Sequence, residues 1–199
     1  MKICIVGCGY VGLVTAAAFA DFGNEVIALD VDKKKINSLS SGGCPIYEPG
    51  LKELLERNRK AKRIRFTTSI SSAVHNSEII FICVATPSKK DGSTNLSQVK
   101  AAASQIAKNI KSQKIIVNKS TVPIGTGELV EKVISPAITA KLVLVNVSQA
   151  TLEYLSPAKS ASKTESETLS ETLSGCPSVT DSEVNILFEF IVYLIPIRF

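Results

Sequence analysis

The sequence is poor in the residues that hold metal ions. It contains one histidine, His75, and five cysteines, at positions 4, 8, 44, 83 and 176. Cys4 and Cys8 are the closest pair, but no second pair and no further histidine are there to complete a zinc shell. The odd number of cysteines also fails to indicate a disulfide framework. We therefore expect no metal site, and we interpret His75 as an ordinary surface residue.

Signal and membrane segments are missing as well. The chain begins Met-Lys-Ile-Cys-Ile-Val and enters a predicted strand at once, without the charged and apolar regions of a signal peptide. The longest apolar stretch, residues 184–197, is interrupted by Glu189 and is too short for a spanning helix of about 20 residues. These absences predict a soluble protein with a cytoplasmic location and no membrane partner.

The charge balance gives little indication of a nucleic-acid partner. With 23 Lys and Arg against 18 Asp and Glu, the net charge is +5, an excess shared by many proteins that never bind nucleic acid. One dense basic run is formed by Arg57, Arg59, Lys60, Lys62, Arg63 and Arg65. No aromatic residue is interleaved in that run before Phe66, so we interpret it as a solvated helix end and predict no nucleic-acid binding.

What the sequence does contain is an alternation of strand and helix patterns. Apolar runs rich in Ile and Val predict strands at residues 2–6, 25–30, 64–66, 78–84, 114–118 and 142–146. Helical periodicity predicts helices at residues 11–22, 33–40, 51–59, 96–110 and 127–134. Asn95 is the predicted N-cap of the fourth helix. This order predicts an α/β fold with a Rossmann-type doubly wound parallel sheet.

The composition changes near residue 149. Residues 156–183 are dominated by Ser, Thr, Glu and Lys, and the sequence Ser-Glu-Thr-Leu occurs there twice, at 166–169 and 170–173. Such a segment buries too little apolar surface to fold alone. Residues 184–199 are apolar again, and either pack as a strand or expose an apolar end. We predict a folded domain at residues 1–149 and a divergent, Ser/Thr-rich, low-complexity tail at 150–199.

A glycine pattern follows the first predicted strand and opens a helix. It reads Gly7-Cys8-Gly9-Tyr10-Val11-Gly12. In a dinucleotide-binding turn the first glycine permits the tight turn, the second lets the backbone approach the pyrophosphate, and the third lets helix and strand pack closely. Backbone N–H groups at the helix start, at Tyr10 and Val11, then face the anion. The alternative is a glycine turn in another kind of α/β protein.

An acidic residue closes the second predicted strand, as this kind of site requires. Asp30 lies 18 residues after Gly12, where its carboxylate can accept hydrogen bonds from both hydroxyls of an adenosine ribose. This favours NAD over NADP, because a 2′-phosphate would meet like charge. Lys35 follows closely and can reach the phosphates, which weakens that exclusion. We predict NAD as the cofactor.

Three further segments carry a family resemblance. They are Pro-Ile-Tyr-Glu-Pro-Gly-Leu at 45–51, Val-Ala-Thr-Pro at 84–87 and Lys-Ser-Thr-Val-Pro-Ile-Gly-Thr-Gly at 119–127. With the glycine pattern, their order and spacing resemble those of the UDP-glucose 6-dehydrogenases, over residues 1 to about 135. The resemblance implies that Thr86 and Thr121 line the NAD site and that Thr121 also borders the reacting sugar carbon. Taken alone, these residues also suit turns that end strands.

The resemblance also implies a reaction that this chain only partly supports. Family members oxidise the C6 alcohol of the sugar twice, with two NAD, through a thiohemiacetal and a thioester on a cysteine. Their motif Gly-Gly-x-Cys-Phe-Pro-Lys-Asp is absent here, and neither Glu153 nor Cys176 has the surroundings of the family's catalytic groups. Thr121 is the one catalytic candidate. We therefore expect a shortened or frame-shifted gene product, or a fragment.

Two functions remain open at this point. The first is that of a UDP-glucose 6-dehydrogenase homologue, with a nucleotide sugar as partner and UDP-glucuronate as the product of full-length relatives. UDP-N-acetylmannosamine and GDP-mannose dehydrogenases are its near alternatives. The second is a non-catalytic NAD-binding module, either a homo-oligomer or paired with a full-length subunit.

Overall fold

Helices and strands alternate along the part of the chain that the structure describes. The computed structural model describes residues 1–137 and the backbone of residues 143–146. In chain order the elements are β1 (Lys2–Val6), α1 (Tyr10–Asp21), β2 (Glu25–Leu29), α2 (Lys33–Ser40), α3 (Leu51–Lys60), β3 (Ile64–Thr67), α4 (Ile70–His75), β4 (Ile79–Ile82), α5 (Ser97–Asn109), β5 (Ile115–Asn118), α6 (Thr126–Ile134) and β6 (Val143–Asn146). The predicted domain boundary near residue 149 and the tail at 150–199 lie outside the described residues and stay predictions.

The strands form one sheet in the order β3-β2-β1-β4-β5-β6. The pairs β1–β2, β1–β4, β2–β3 and β4–β5 are all parallel. Val6 lies opposite Leu29 on one side and Ile82 on the other, so the carboxyl ends of these strands are level. The strand order reverses between β1 and β4, which is where doubly wound sheets bind their ligands. The predicted Rossmann-type fold is confirmed.

Burial of the strands on both faces holds this sheet together. All four residues of β4 and of β5 are buried, as near-continuous Ile and Val runs in a parallel sheet require. On one face Ile80, Ile82 and Ile116 belong to a core cluster with residues of α4, α5 and α6. On the other face the ring of Phe81 packs on Phe19 of α1, with 5.0 Å between the ring centroids.

The structure corrects the sequence predictions at three places. Helix α4 was not predicted, because it has only six residues; Ser69 caps it by accepting a hydrogen bond from the Ser72 N–H. The predicted strand 78–84 is reduced to Ile79–Ile82. The N-cap of α5 is Leu96, not Asn95, whose Oδ1 instead accepts a hydrogen bond from the Ser97 N–H at 3.0 Å. The other predicted bounds agree with the described elements to within one or two residues.

The basic run is a helix end only in its first half. Arg57, Arg59 and Lys60 lie in the last turn of α3, but Lys62 and Arg63 form the turn beyond it and Arg65 belongs to β3. The interpretation of the whole run as one helix end was therefore wrong. Among the described residues, no helix is both long and apolar enough to cross a lipid bilayer.

Candidate functional site

The turn between β1 and α1 has no room for side chains at two of its glycines. Gly7 has φ +105°, and a Cβ placed on it would lie 2.4 Å from the carbonyl oxygen of Cys83. A Cβ on Gly12 would lie 1.7 Å from the carbonyl oxygen of Gly7. Both contacts are with backbone atoms, which cannot move aside cheaply. These glycines are therefore needed to bring the start of α1 against the ends of β1 and β4.

The middle glycine of the turn is open on its outer side. Gly9 is exposed, and a Cβ there would meet no atom within 4 Å. Gly9 is the N-cap of α1, and its carbonyl accepts the first helical hydrogen bond, from the Leu13 N–H at 2.9 Å. No side chain caps this end and no acidic residue lies in its first turn. The free N–H groups of Tyr10 and Val11 thus form an anion cradle over open space.

Asp30 is held beside this turn by three hydrogen bonds. Its Oδ2 accepts from the Cys8 N–H at 2.8 Å and from Lys35 Nζ at 2.8 Å, and its Oδ1 accepts from the Asp32 N–H at 3.0 Å. Burial raises the pKa of the Asp30 carboxyl, but the bonds from Lys35, Asp32 and Cys8 outweigh burial and hold its pKa below the ordinary value. Asp30 is therefore an ionised acceptor in a fixed position.

Lys35 lies on the carboxylate of Asp30 in this structure. The side chain of Asp32 caps α2 by accepting from the Lys34 and Lys35 N–H groups, so the lysine stands in the first turn of that helix. From this position its ammonium group contacts the Asp30 carboxylate at 2.8 Å, and the Lys35 side chain is 29% exposed. The predicted contact of Lys35 with cofactor phosphates stays a prediction.

The two threonines predicted to line the NAD site lie in loops that a hydrogen bond connects. Thr86 follows β4 and Thr121 follows β5, and Oγ1 of Thr86 donates to the carbonyl oxygen of Thr121 at 2.7 Å. The hydroxyl of Ser120, which was not singled out from the sequence, donates to the carbonyl oxygen of Val84 at 2.9 Å. Thr121 is exposed. Thr86 and Ser120 therefore fix the backbone at Thr121, whose own side chain faces outward.

The loop at residues 45–51 ends at a helix start, as predicted. Gly50 has φ +79° and is the N-cap of α3, which begins at Leu51. The thiol of Cys44 donates to the carbonyl oxygen of Ile46 at 3.0 Å. Tyr47 is 89% exposed, which leaves a large aromatic ring without cover among the described residues.

The cysteines near the turn are unsuited to nucleophilic chemistry. Cys4, Cys8 and Cys83 are buried free thiols. Burial raises the pKa of Cys8 to about 12 and that of Cys83 to about 12, and burial also raises the pKa of Cys4. Such thiols stay protonated near neutral pH. Cys176 lies outside the described residues. Within those residues, no three His, Cys, Asp or Glu side chains come together as a metal-ligand set.

The chain is similar to known proteins over most of its length. Residues 1–166 match the UDP-glucose/GDP-mannose dehydrogenase family, NAD binding domain. The chain is 50% identical to UDP-glucose 6-dehydrogenase TuaD of Bacillus subtilis over 136 residues, which is 68% of this chain and 30% of that protein. It is 40% identical to GDP-mannose 6-dehydrogenase of Pseudomonas aeruginosa over 141 residues, 69% of this chain and 32% of that one.

A solved structure shows the same similarity. The UDP-glucose dehydrogenase of the archaeon Pyrobaculum islandicum is similar with a TM-score of 0.70 and 37% identity, over 73% of this chain and 35% of that one. The chain spans about 30% of the length of the curated relatives it matches. Since the family match extends over most of the sequence, the chain belongs to the UDP-glucose/GDP-mannose dehydrogenase family and contains its NAD binding domain.

Proposed function

We propose that this domain binds NAD with its pyrophosphate over the turn at residues 7–12 and its adenosine ribose at Asp30. One observation carries the proposal: the Cys8 N–H holds the Asp30 carboxylate 2.8 Å away, directly beside a glycine whose outer side is open. An anion cradle and a ribose acceptor are thereby joined in one rigid unit. The residues present thus fit a dinucleotide.

The residues around the turn divide the binding between them. The helix N–H groups at Tyr10 and Val11 supply the positive end of a dipole to the phosphates. Asp30 accepts from the ribose hydroxyls and disfavours a 2′-phosphate there. Lys35 neutralises part of the Asp30 charge. We therefore expect NADP to bind more weakly than NAD, but not to be excluded. NAD, when bound, supplies the hydride acceptor for an alcohol oxidation.

The relatives support a substrate class. We infer that, in an enzyme of the relatives' length, this domain serves the oxidation of UDP-glucose to UDP-glucuronate. The identity of 50% to a UDP-glucose 6-dehydrogenase, against 40% to a GDP-mannose 6-dehydrogenase, supports UDP-glucose over GDP-mannose. Thr121 is the residue we assign beside the reacting carbon, because the bond from Thr86 fixes its backbone and its side chain is exposed. A cytoplasmic location stays a prediction.

Titration of the 199-residue chain with NAD and NADP tests the cofactor assignment. We expect calorimetry to give saturable NAD binding, and weaker binding of NADP. Equal or tighter NADP binding would contradict the role of Asp30, and absence of NAD binding would contradict the whole proposal. The matched control is the Gly9→Val variant, in which the new side chain blocks the proposed pyrophosphate position. Its circular dichroism spectrum should equal that of the wild type, which shows that the variant is folded.

A non-catalytic NAD-binding module is the second candidate for this chain by itself. Burial raises the pKa of Cys8 and of Cys83 to about 12, so neither of these two thiols supplies a thiolate at neutral pH, and this supports the second candidate. We expect the 199-residue chain with NAD and UDP-glucose to produce no steady NADH absorbance. Steady NADH production that is lost in Cys176→Ser would contradict this module and assign Cys176 as the nucleophile.

A further inference from the structure

A second concave site lies at the opposite, amino edge of the sheet. It is a cavity of about 230 Å³, which we call the amino-edge pocket, lined by Lys2, Glu25, Val26, Ile27, Lys62, Arg63, Arg65 and Asn76. Lys2 and Glu25 are the first residues of β1 and β2, and they lie opposite each other in the sheet. Strands of five residues, at about 3.3 Å each, separate this pocket from the glycine turn. It is therefore not part of the cofactor site.

The amino-edge pocket carries an unbalanced positive charge. Four of its lining residues are cationic and one, Glu25, is acidic. Among the described residues, the ion pairs within 4 Å are Lys35–Asp30, Arg57–Asp21 and Lys60–Glu56, so none involves a residue of the pocket. The one side-chain bond made by a pocket cation is from Arg63 Nε to Asn58 Oδ1, at 2.9 Å. Two carboxylates border Lys2, because Glu25 lies opposite it in the sheet and Glu78 Oε2 accepts from the Lys2 backbone N–H at 2.9 Å. Among the described residues, the charges of Lys62 and Arg65 have no ion-pair partner and are available to a ligand.

Helix ends at this edge do not account for the cations. Basic side chains often neutralise the carbonyl end of a helix. At the end of α3, however, the carbonyls of Arg59 and Asn58 accept from the backbone N–H groups of Lys62 and Arg63, both at 3.0 Å. At the end of α4, Lys114 Nζ takes this role by donating to the carbonyls of His75 and Ser77.

Lys62 occupies a backbone conformation that favours glycine. Its φ is +56°, and it is the single non-glycine residue with positive φ in the described part of the chain. The two hydrogen bonds after α3 form a Schellman motif, in which this position is usually glycine. A lysine there carries conformational strain, and the same lysine lines the pocket. The residue in this conformation therefore adds a positive charge to the pocket lining, which glycine would not do.

We propose that the amino-edge pocket binds the phosphate group of a small molecule, either inorganic phosphate or a phosphomonoester. Arg63 and Arg65 supply planar guanidinium groups that match phosphate oxygens, and Lys2 and Lys62 supply further charge. The cavity is below the roughly 300–1,000 Å³ of sites for drug-sized ligands, which suits a phosphate better than a whole dinucleotide.

Amide shifts in the 199-residue chain, measured by NMR with and without NAD, test the proposal. The probes are inorganic phosphate and glycerol 3-phosphate, each titrated at constant ionic strength. We expect saturable shifts at residues 62–65 with at least one probe, in both the presence and the absence of NAD. Tighter binding of one probe identifies the source of the phosphate group. Shifts confined to residues 7–12, or shifts at 62–65 that rise linearly without saturation, would overturn the proposal.

Variants that remove a charge distinguish phosphate binding in the pocket from a general electrostatic effect of the basic run. Arg65→Gln should weaken phosphate binding about 10-fold or more, as loss of a charge-assisted hydrogen bond predicts. Lys62→Asn removes charge while tolerating the backbone conformation, and should also weaken it. The control is Lys60→Gln, an exposed residue of the same run outside the pocket, with a change below about 2-fold. Equal weakening by Lys60→Gln and Arg65→Gln would overturn the assignment.

Discussion

Polar groups at the carboxyl edge of the sheet are bonded to one another, whereas the cations that line the amino-edge pocket form no ion pair among the described residues. At the carboxyl edge the Cys8 N–H and Lys35 hold Asp30, and Thr86 holds the backbone of Thr121. At the amino edge, Lys2 and Arg65 have no ion pair within the described chain. The carboxyl edge therefore presents a fixed geometry, and the amino edge a charge that needs a ligand to order it.

This difference predicts how each edge responds to change. A fixed geometry fails abruptly when one atom is misplaced, because its groups act together. Exposed charges respond gradually and are weakened by salt, since counter-ions screen them over about 10 Å at 0.1 M.

The largest effect is expected for Gly12→Ala. The new Cβ would lie 1.7 Å from the carbonyl oxygen of Gly7, so α1 and the turn must separate. We expect the free energy of unfolding to fall by about 3 kcal/mol or more, at the upper end of overpacking costs. Urea unfolding followed by circular dichroism measures it. Gly9→Ala is the matched control, because its Cβ meets nothing within 4 Å; equal losses in the two variants would contradict the described packing of the turn.

Gly9→Val should lose cofactor but keep the fold. The backbone of Gly9 is extended, with φ −84° and ψ −168°, so valine is accepted there without strain. Its side chain would fill the open space that we assign to the pyrophosphate. We expect NAD affinity to fall by at least about 100-fold, or about 2.7 kcal/mol, with little change in melting temperature. Calorimetry that finds wild-type NAD affinity would contradict the assignment of this turn.

Asp30→Ala should weaken NAD binding less than Gly9→Val does. It removes the acceptor of the ribose hydroxyls, at about 1–3 kcal/mol for charged hydrogen bonds. It also leaves Lys35 free to meet a 2′-phosphate, so the ratio of NADP to NAD affinity should rise. Calorimetry with both dinucleotides measures the two effects. In the double variant Asp30→Ala with Lys35→Met, the ratio of NADP to NAD affinity should no longer rise. A rise that persisted in the double variant would rule out Lys35 as its source.

The pH response of Asp30 has a definite sign. Its folded pKa lies below the ordinary value of 3.8, so the ionised form stabilises the fold above that value. This contribution is lost as the pH falls through the folded pKa. Unfolding free energies of the wild type and of Asp30→Asn should therefore differ most at neutral pH and converge below about pH 4. A difference that grew on acidification would show that the folded pKa is raised instead.

The sequence predicted the carboxyl edge better than the amino edge, for a physical reason. The spacing of Gly7, Gly9 and Gly12 reflects backbone contacts within one turn, so it is visible as a local pattern. The bond between Thr86 and Thr121 joins residues 35 positions apart and depends on the pairing of β4 with β5. Local periodicity carries no such information, and for the same reason Ser120 was overlooked.

The sequence did not predict the amino-edge pocket, because a run of basic residues has no hydrophobic periodicity that would indicate where the helix ends. Arg59 and Lys62 are both basic, yet α3 ends between them and the chain turns there through a positive φ. Lys62 lines a cavity that also involves Lys2 and Asn76, from distant parts of the sequence. Concave sites assembled from several strand ends require the topology before they can be recognised.

The smallest effect, and one of opposite sign, is expected for Lys62→Gly. Glycine removes the strain of an L-residue at φ +56°, which is about 1–2 kcal/mol. It also raises the conformational entropy of the unfolded chain, which costs about 0.4–1 kcal/mol of stability. The net result should be a gain in unfolding free energy of between about 0 and 1.6 kcal/mol, measured in urea. Lys60→Gly, inside α3, should instead lose up to about 1 kcal/mol. If Lys62→Gly destabilises the protein as Lys60→Gly does, then the lysine supports the fold, and its presence in place of glycine no longer argues for a ligand at the amino edge.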